Sequence, residues 1–201
     1  MIVAIVLAAG ESRRMGVPKP LLRFGDTTFL EQIVSVLRRS DVDGITVVLG
    51  SRAEAVRAST DLSALNVVVN EGYRDGQLSS LIVGLRSVPK ETDAILVCLV
   101  DSPFITTDVV GRIVGAFHDS SKLIVVPVFS GRRGHPALFG AAVFEELLNA
   151  PAGEGARHVV NADRARVLEV EVSEPNILAR IDTPEDYASY FGMPPQIREG
   201  T

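Results

Sequence analysis

The sequence predicts an α/β fold, a three-layer α/β/α sandwich built on a mostly parallel sheet. Three observations carry this. Strand-like and helix-like segments alternate through most of the chain, which is the pattern of right-handed βαβ crossovers. The strand-like segments are near-continuous apolar runs such as Ala94–Val100 (AILVCLV), as expected of strands covered on both faces. The length of 201 residues suits one such domain with a substantial core.

The elements follow in order. Ile2–Leu7 reads as the first strand, and Phe29–Arg39 has helical spacing through Phe29, Ile33, Val36 and Leu37. A second strand is expected at Ile45–Leu49, a helix at Ala53–Ser59 and a short strand at Val67–Val69. A polar, glycine-containing loop, Asn70–Gln77, leads to a helix over Ser79–Ser87 and then to the strand Ala94–Val100. Thr106 or Thr107 caps a helix running to Phe117, with Asp108 in its first turn, and Leu123–Val128 is the next strand. From Ser130 the alternation breaks. There the sequence offers the loop SGRRGHP, a short apolar piece (Ala137–Phe139), helices over Ala141–Leu148 and Gly155–Asn161, and strands over Val167–Val172 and Ile177–Ile181. Pro184 opens a last helix with Glu185 and Asp186 in its first turn. One domain is expected over residues 1–193, with 194–201 as a C-terminal tail.

Composition narrows the function. Net charge is −5, so the general basic footprint of a nucleic-acid binder is missing and no nucleic-acid partner is expected. No apolar run approaches the ~20 residues needed to span a bilayer, and the first apolar run is too short for a signal peptide. The expectation is a cytoplasmic protein with no membrane partner. Cys98 is the single cysteine and lies in an apolar strand, where it reads as packing. His118 and His158 lack metal-ligand spacing and read as surface or packing residues.

The candidate site residues cluster where strands end, the usual ligand position in an open α/β sheet. The first strand empties at Leu7 into Ala8, Ala9 and Gly10, whose small side chains allow close backbone approach to a phosphate. Ser12, Arg14 and Lys19 follow, so the loop combines free N–H groups with fixed positive charge, as a nucleoside triphosphate requires. The spacing of Gly10 and Gly16 does not match the P-loop, and no G-x-G-x-x-G occurs, which counts against a nicotinamide or flavin oxidoreductase. Met15 reads as a lid over an apolar hollow, and Arg13 and Arg23 as surface residues. Asp101, at the end of the strand Ala94–Val100, is a natural Mg²⁺ ligand alongside phosphate oxygens, or else a turn residue. Asp182 stands before Pro184, where an N-cap is the competing role. Asn70, Gly76, Ser79 and Ser80 supply amide and hydroxyl groups suited to a nucleobase edge. Arg133, Gly134, His135 and Pro136 form a candidate acceptor-side wall, in which His135 is either structural or substrate-facing.

These residues resemble a known family. LAAGESRRMGVPKPLL is similar to the signature of the MobA-like nucleotidyltransferases, in which LAAG-x-S-x-R-M-G-x-P-K precedes a leucine pair. Asn70, Gly76, Ser79, Ser80, Asp101 with Pro103, Gly134-His135-Pro136, Gly155-Ala156-Arg157 and Asp182-Thr183-Pro184-Glu185-Asp186 follow in the family's order. The resemblance covers residues 1–190. It implies a Rossmann-like sheet of the nucleotide-diphospho-sugar transferase type, mostly parallel with an added antiparallel strand. LAAG and the GHP and DTPED segments make the likeness greater to molybdenum cofactor cytidylyltransferases than to guanylyltransferases.

The resemblance further implies CTP as donor, a phosphorylated small-molecule acceptor such as molybdopterin, Mg²⁺ as cofactor, and a contact with a molybdoenzyme or its chaperone. By the same likeness, Arg14 and Lys19 contact the triphosphate, Asp101 binds the metal and Asp182 completes its site. Transfer of guanylyl or another nucleotidyl group is the alternative, as is a nucleotide-binding module without activity. Two departures stand out: Arg180 replaces an aspartate of the family's last motif, and Gly153-Glu154 replaces its Gly-Asp.

Overall fold

The computed structural model describes residues 1–197. Its centre is an eight-stranded sheet. In chain order the elements are β1 (Ile2–Ala8), β2 (Arg23–Phe24), β3 (Thr27–Thr28), α1 (Phe29–Arg38), β4 (Gly44–Leu49), α2 (Ala53–Ser59), β5 (Asn66–Val69), α3 (Gln77–Ser87) and β6 (Ala94–Leu99). They continue with α4 (Thr107–His118), β7 (Ile124–Phe129), β8 (Arg132–Arg133), β9 (Ala137–Gly140), α5 (Phe144–Leu148), α6 (Ala156–Ala162), β10 (Val167–Glu171) and α7 (Pro184–Phe191). The strand order is β10-β7-β9-β6-β1-β4-β5, with β8 paired to β7, while β2 and β3 form a separate hairpin.

The pairs β1–β4, β1–β6, β4–β5 and β7–β10 are parallel. The strand β9 runs antiparallel between β6 and β7. The chain builds outward from β1 through β4 to β5, then returns to place β6 on the other side of β1. Strand order thus reverses at β1, and the carboxyl ends of β1 and β6 open a crevice there.

Alternation along β1 explains the three layers. Ala4, Val6 and Ala8 join a core with Phe29, Ile33 and Leu37 of α1, Val110 and Ile113 of α4, and Tyr187 of α7. Ile5, Leu7 and Ala9 face the opposite core, with Leu81 and Leu85 of α3, Leu147 of α5 and Val159 of α6. Buried apolar side chains on both faces of one strand are what the uninterrupted run IVAIVLA encodes. The helix α3 lies close on the sheet at Gly84, where a Cβ would stand 2.6 Å from Ile5 Cγ2. Cys98 is fully buried in β6, and desolvation pushes its thiol up to about 12.

Two expectations are corrected. Ile177–Ile181 is not a strand: Pro175–Leu178 is a 3₁₀ turn followed by extended chain. Its backbone bonds go to loops instead, the His135 N–H donating to the Ile177 carbonyl and the Ile181 N–H to the Asp101 carbonyl. Alternate burial of Ile177, Ala179 and Ile181 gave the segment a strand-like pattern without a ladder partner. Likewise, Ala141–Leu148 divides into a 3₁₀ turn (Ala141–Val143) and the short α5. Of the expected tail 194–201, residues 198–201 lie outside the described residues. The Gln196 carbonyl accepts the Arg23 N–H at 2.8 Å, tying the chain before them to the core. No helix among the described residues is long and apolar enough to cross a membrane.

Candidate active site

The loop after β1 folds back on itself. The Gly16 N–H donates to the Ser12 carbonyl at 2.9 Å, and the Lys19 N–H donates to Ser12 Oγ at 3.0 Å. Ser12 adopts a positive φ of 53° to make this turn. Met15 is buried in the core beneath the loop and anchors it. A neighbouring loop closes against it at Gly50, where a Cβ would meet the Ala9 carbonyl oxygen at 2.7 Å. Only glycine fits there without displacing the Ala9 backbone.

This folding returns Lys19 over the carboxyl ends of β1 and β6. Its Nζ lies 2.5 Å from Asp182 Oδ1 and 3.4 Å from Asp101 Oδ2. Arg180 Nη2 donates to Asp101 Oδ2 at 2.9 Å and stands 3.8 Å from Asp182 Oδ2, which Arg14 Nη2 approaches at 3.3 Å. Two carboxylates from distant segments therefore meet three cations. Burial pushes Asp182 upward, but the hydrogen bond and charge of Lys19, with Arg180 and Arg14, outweigh it and hold the carboxyl below its usual range. Thr183 takes the capping role at the start of α7, its Oγ1 accepting the Asp186 N–H. The Asp182 side chain is thereby left to the ion cluster.

The cluster borders a cavity of roughly 320 Å³. Leu7, Ala8, Ala9, Gly10, Ser12, Arg14, Lys19, Gly76, Ser80, Asp101 and Asp182 all line it. Asn70 and Ser79 do not. Asn70 is buried and donates to Ser79 Oγ at 2.9 Å and Ser80 Oγ at 3.0 Å, which pins the first turn of α3. Arg133, Gly134 and His135 line a second, adjoining cavity, whereas Pro136 is buried and outside its lining. Burial lowers the His135 pKa, the charge of Asp101 opposes this and that of Arg180 adds to it. His158 pairs with Glu154 on the surface, at 2.9 Å.

Tyr73, Gln77 and Arg13 also border the first cavity, with Arg13 mostly exposed and paired to Glu11 at 2.6 Å. Sequence reasoning placed Arg13 on the surface and passed over Gln77, although its position after Gly76 at the start of α3 aims it at the same crevice. It read Arg180 as a departure bearing on the second metal site and as an added phosphate contact, and did not place it against Asp101.

Asp101 carries a further signal. Its Oδ1 is buried without a hydrogen-bond partner. An orphaned carboxylate oxygen next to a second carboxylate suits a hard cation that draws its remaining ligands from phosphate and water. No group of three or more acidic, histidine or cysteine ligands exists among the described residues, so the protein alone would not enclose a metal.

The sheet, its switch point and this loop define a nucleotidyltransferase fold, and residues 4–167 match the model of the MobA-like NTP transferase domain. The chain belongs to that family. It is 26% identical over 198 residues to the nicotine blue oxidoreductase of Paenarthrobacter nicotinovorans, covering 92% of this chain and 93% of that one. It is 26% identical over 188 residues to the molybdenum cofactor cytidylyltransferase of Escherichia coli, covering 91% and 92%. A probable molybdenum cofactor guanylyltransferase of Bacillus cytotoxicus shares 29% over 133 residues, 66% of this chain and 64% of that one. Among solved structures, Rv0371c of Mycobacterium tuberculosis superposes with a TM-score of 0.84 at 33% identity, covering 96% of this chain and 98% of that one. Its manganese complex gives a TM-score of 0.81 at 31% identity, covering 95% and 98%.

Proposed function

We propose that the protein transfers a cytidylyl group from CTP to the phosphate of a small acceptor, with molybdopterin the candidate, and releases pyrophosphate. The observation that carries this reading is the convergence of Asp101, Asp182 and Lys19 on one cavity beside the small-residue loop after β1. An acceptor phosphate oxygen attacks the α-phosphorus, the bond to the bridging oxygen breaks, and its electron pair leaves with pyrophosphate. A phosphomonoester with a second pKa of about 6 is already mostly dianionic at neutral pH, so no strong general base is needed. The residues of the site act by position and charge.

Backbone N–H groups around Ala9–Ser12 hold the β- and γ-phosphates, and Arg14 and Lys19 offset charge growing on the leaving group. For Lys19 this means exchanging its carboxylate partners for phosphate oxygens. Asp101 and Asp182 would hold Mg²⁺, which would supply positive charge against the phosphates of the bound nucleotide. The buried, unpartnered Asp101 Oδ1 and the manganese complex of the M. tuberculosis relative support a divalent ion here. Ser80 and Gly76 border the region proposed for the base, with Asn70 and Ser79 acting through the fold of that loop. Arg133, Gly134 and His135 border the acceptor.

The test is a panel of CTP, GTP, UTP and ATP with Mg²⁺, scored for binding and for pyrophosphate release in the presence of molybdopterin. CTP is expected to lead. Preference for GTP would make the protein a guanylyltransferase with the same reaction. A second reading is favoured by one observation, the likeness to a relative named an oxidoreductase. Binding and oxidation of NAD(P)H in the same assay, without pyrophosphate release, would favour it.

A further inference from the structure

Three of the four carboxylate oxygens of Asp101 and Asp182 are held by cations of the chain itself. Asp101 Oδ2 accepts from Arg180 Nη2 at 2.9 Å and faces Lys19 Nζ at 3.4 Å. Asp182 Oδ1 accepts from Lys19 Nζ at 2.5 Å, and Asp182 Oδ2 faces Arg14 at 3.3 Å and Arg180 at 3.8 Å. The fourth oxygen, Asp101 Oδ1, is unpaired but buried. A divalent ion reaching the free protein thus meets no carboxylate oxygen that is both open and unpaired. Three cations against two carboxylates also leave the cluster net positive, which repels the ion.

The three cations hold different positions. Lys19 and Arg14 line the first cavity, where the triphosphate is proposed to lie. Arg180 does not; it reaches Asp101 from the side of the second cavity, which it lines. A triphosphate entering the first cavity would draw off Lys19 and Arg14 by direct contact, and its own negative charge would reverse the sign of the cluster. Arg180 stays on the carboxylate until that sign reverses. Its side chain is 51% exposed, so the pair with Asp101 adds little to stability and opens without rearranging the core.

We propose that Arg180 is a tethered counter-ion that keeps divalent cations off Asp101 and Asp182 while nucleotide is absent, so that metal binds with the triphosphate and not before it. The inference rests on the reading of these carboxylates as the metal-holding pair beside a triphosphate. A unit positive charge about 5 Å from a divalent ion weakens its binding roughly tenfold even at the dielectric constant of water. Nucleotide and metal then strengthen each other's binding by one and the same factor.

Titration of the intact protein with Mn²⁺, read by the enhancement of water-proton relaxation, tests it. Without nucleotide, Arg180→Ala is expected to bind Mn²⁺ about tenfold more tightly than wild type, and Arg180→Gln, polar but uncharged, to do the same. Arg180→Lys, which keeps the charge, should stay close to wild type. Adding Asp101→Ala to Arg180→Ala should abolish the gain, which places the bound ion at this carboxylate. With CTP present, the enhancement in wild type should exceed that of Mn²⁺·CTP without protein. Equal affinity for Mn²⁺ in wild type and both uncharged variants, a gain that survives the loss of Asp101, or Arg180→Lys binding as tightly as Arg180→Ala would each overturn the proposal. If the uncharged variants gain Mn²⁺ binding but wild type binds no CTP, the role of Arg180 stands and the nucleotidyl-transfer reading fails. If CTP is bound and turned over while Mn²⁺ alone binds wild type and Arg180→Ala alike, that reading stands and the role of Arg180 fails.

Discussion

Lys19 is the residue on which the site turns. Its side chain is only 13% exposed and is shared between Asp182 and Asp101. Removing it leaves Asp182 facing Arg14 and Arg180, so the carboxylates keep cationic neighbours and the fold should survive. In the proposed reaction Lys19 meets charge that grows as pyrophosphate departs, an interaction made chiefly in the transition state. Lys19→Ala is therefore expected to lower kcat by about 10²–10³-fold, in the range seen for loss of one preorganised charge-stabilising donor, with a smaller change in KM. Steady-state kinetics separates the two. A rise in KM alone would make Lys19 a binding residue only. The sequence showed Lys19 and Asp101 as candidates because each follows a strand. It could not show that Arg180, on an apparently strand-like segment, bonds the same carboxylate.

Among the elements, α7 matters most to the site, although it contributes no side chain to the cavity. Its capping box joins Thr183 Oγ1 to the Asp186 N–H, while Asp186 Oδ2 accepts the N–H groups of both Asp182 and Thr183, at 2.9 and 2.8 Å. The cap thus fixes the backbone from which Asp182 reaches Lys19. Thr183→Ala should cost ~1 kcal/mol of stability in urea unfolding and also reduce turnover, because Asp182 loses its fixed backbone. The backbone hydrogen bonds from Asp182 and Thr183 lower the Asp186 pKa. A depressed carboxylate stabilises the fold above its unfolded pKa of about 3.9 and loses that contribution as pH falls through the lower folded value. Acid unfolding of wild type should therefore show this contribution fading below about pH 4, and Asp186→Asn should remove it.

Element legibility followed the same physics. The strands β1 and β6 were readable because burial on both faces leaves a continuous apolar run, and the starts of α4 and α7 because a threonine precedes each of these two helices. The hairpin β2–β3 and the strand β8 are two residues each, too short to carry a period. The segment Ala137–Phe139 was visible as apolar, but its place as an antiparallel strand between β6 and β7 is set by tertiary pairing.

At the scale of the molecule, the reversal of strand order at β1 brings residues 8–19, 76–80, 101 and 182 to one crevice. Nucleotide bound there bridges segments from across the chain and stabilises the folded state by mass action. At a CTP·Mg²⁺ concentration 100 times the dissociation constant, the gain is about 2.7 kcal/mol. For a domain of this size that is a rise in Tm of roughly 5–10 °C, readable by scanning calorimetry. The same concentration of CTP should give a smaller shift in Asp101→Ala. The first cavity was largely legible in the sequence, since most of its lining comes from the loop after β1 and the ends of β1 and β6, with the rest from the start of α3, Tyr73 and Asp182. The second was not, because its floor is assembled from α3, β6, β7, β9 and α6, whose apolar residues read individually as core.

The claim that Asp101 lies at the reacting centre is tested most directly by pyrophosphate release from CTP·Mg²⁺ with molybdopterin, comparing wild type with Asp101→Ala. Near-complete loss of turnover in a folded variant is the predicted result. Turnover equal to wild type would contradict it.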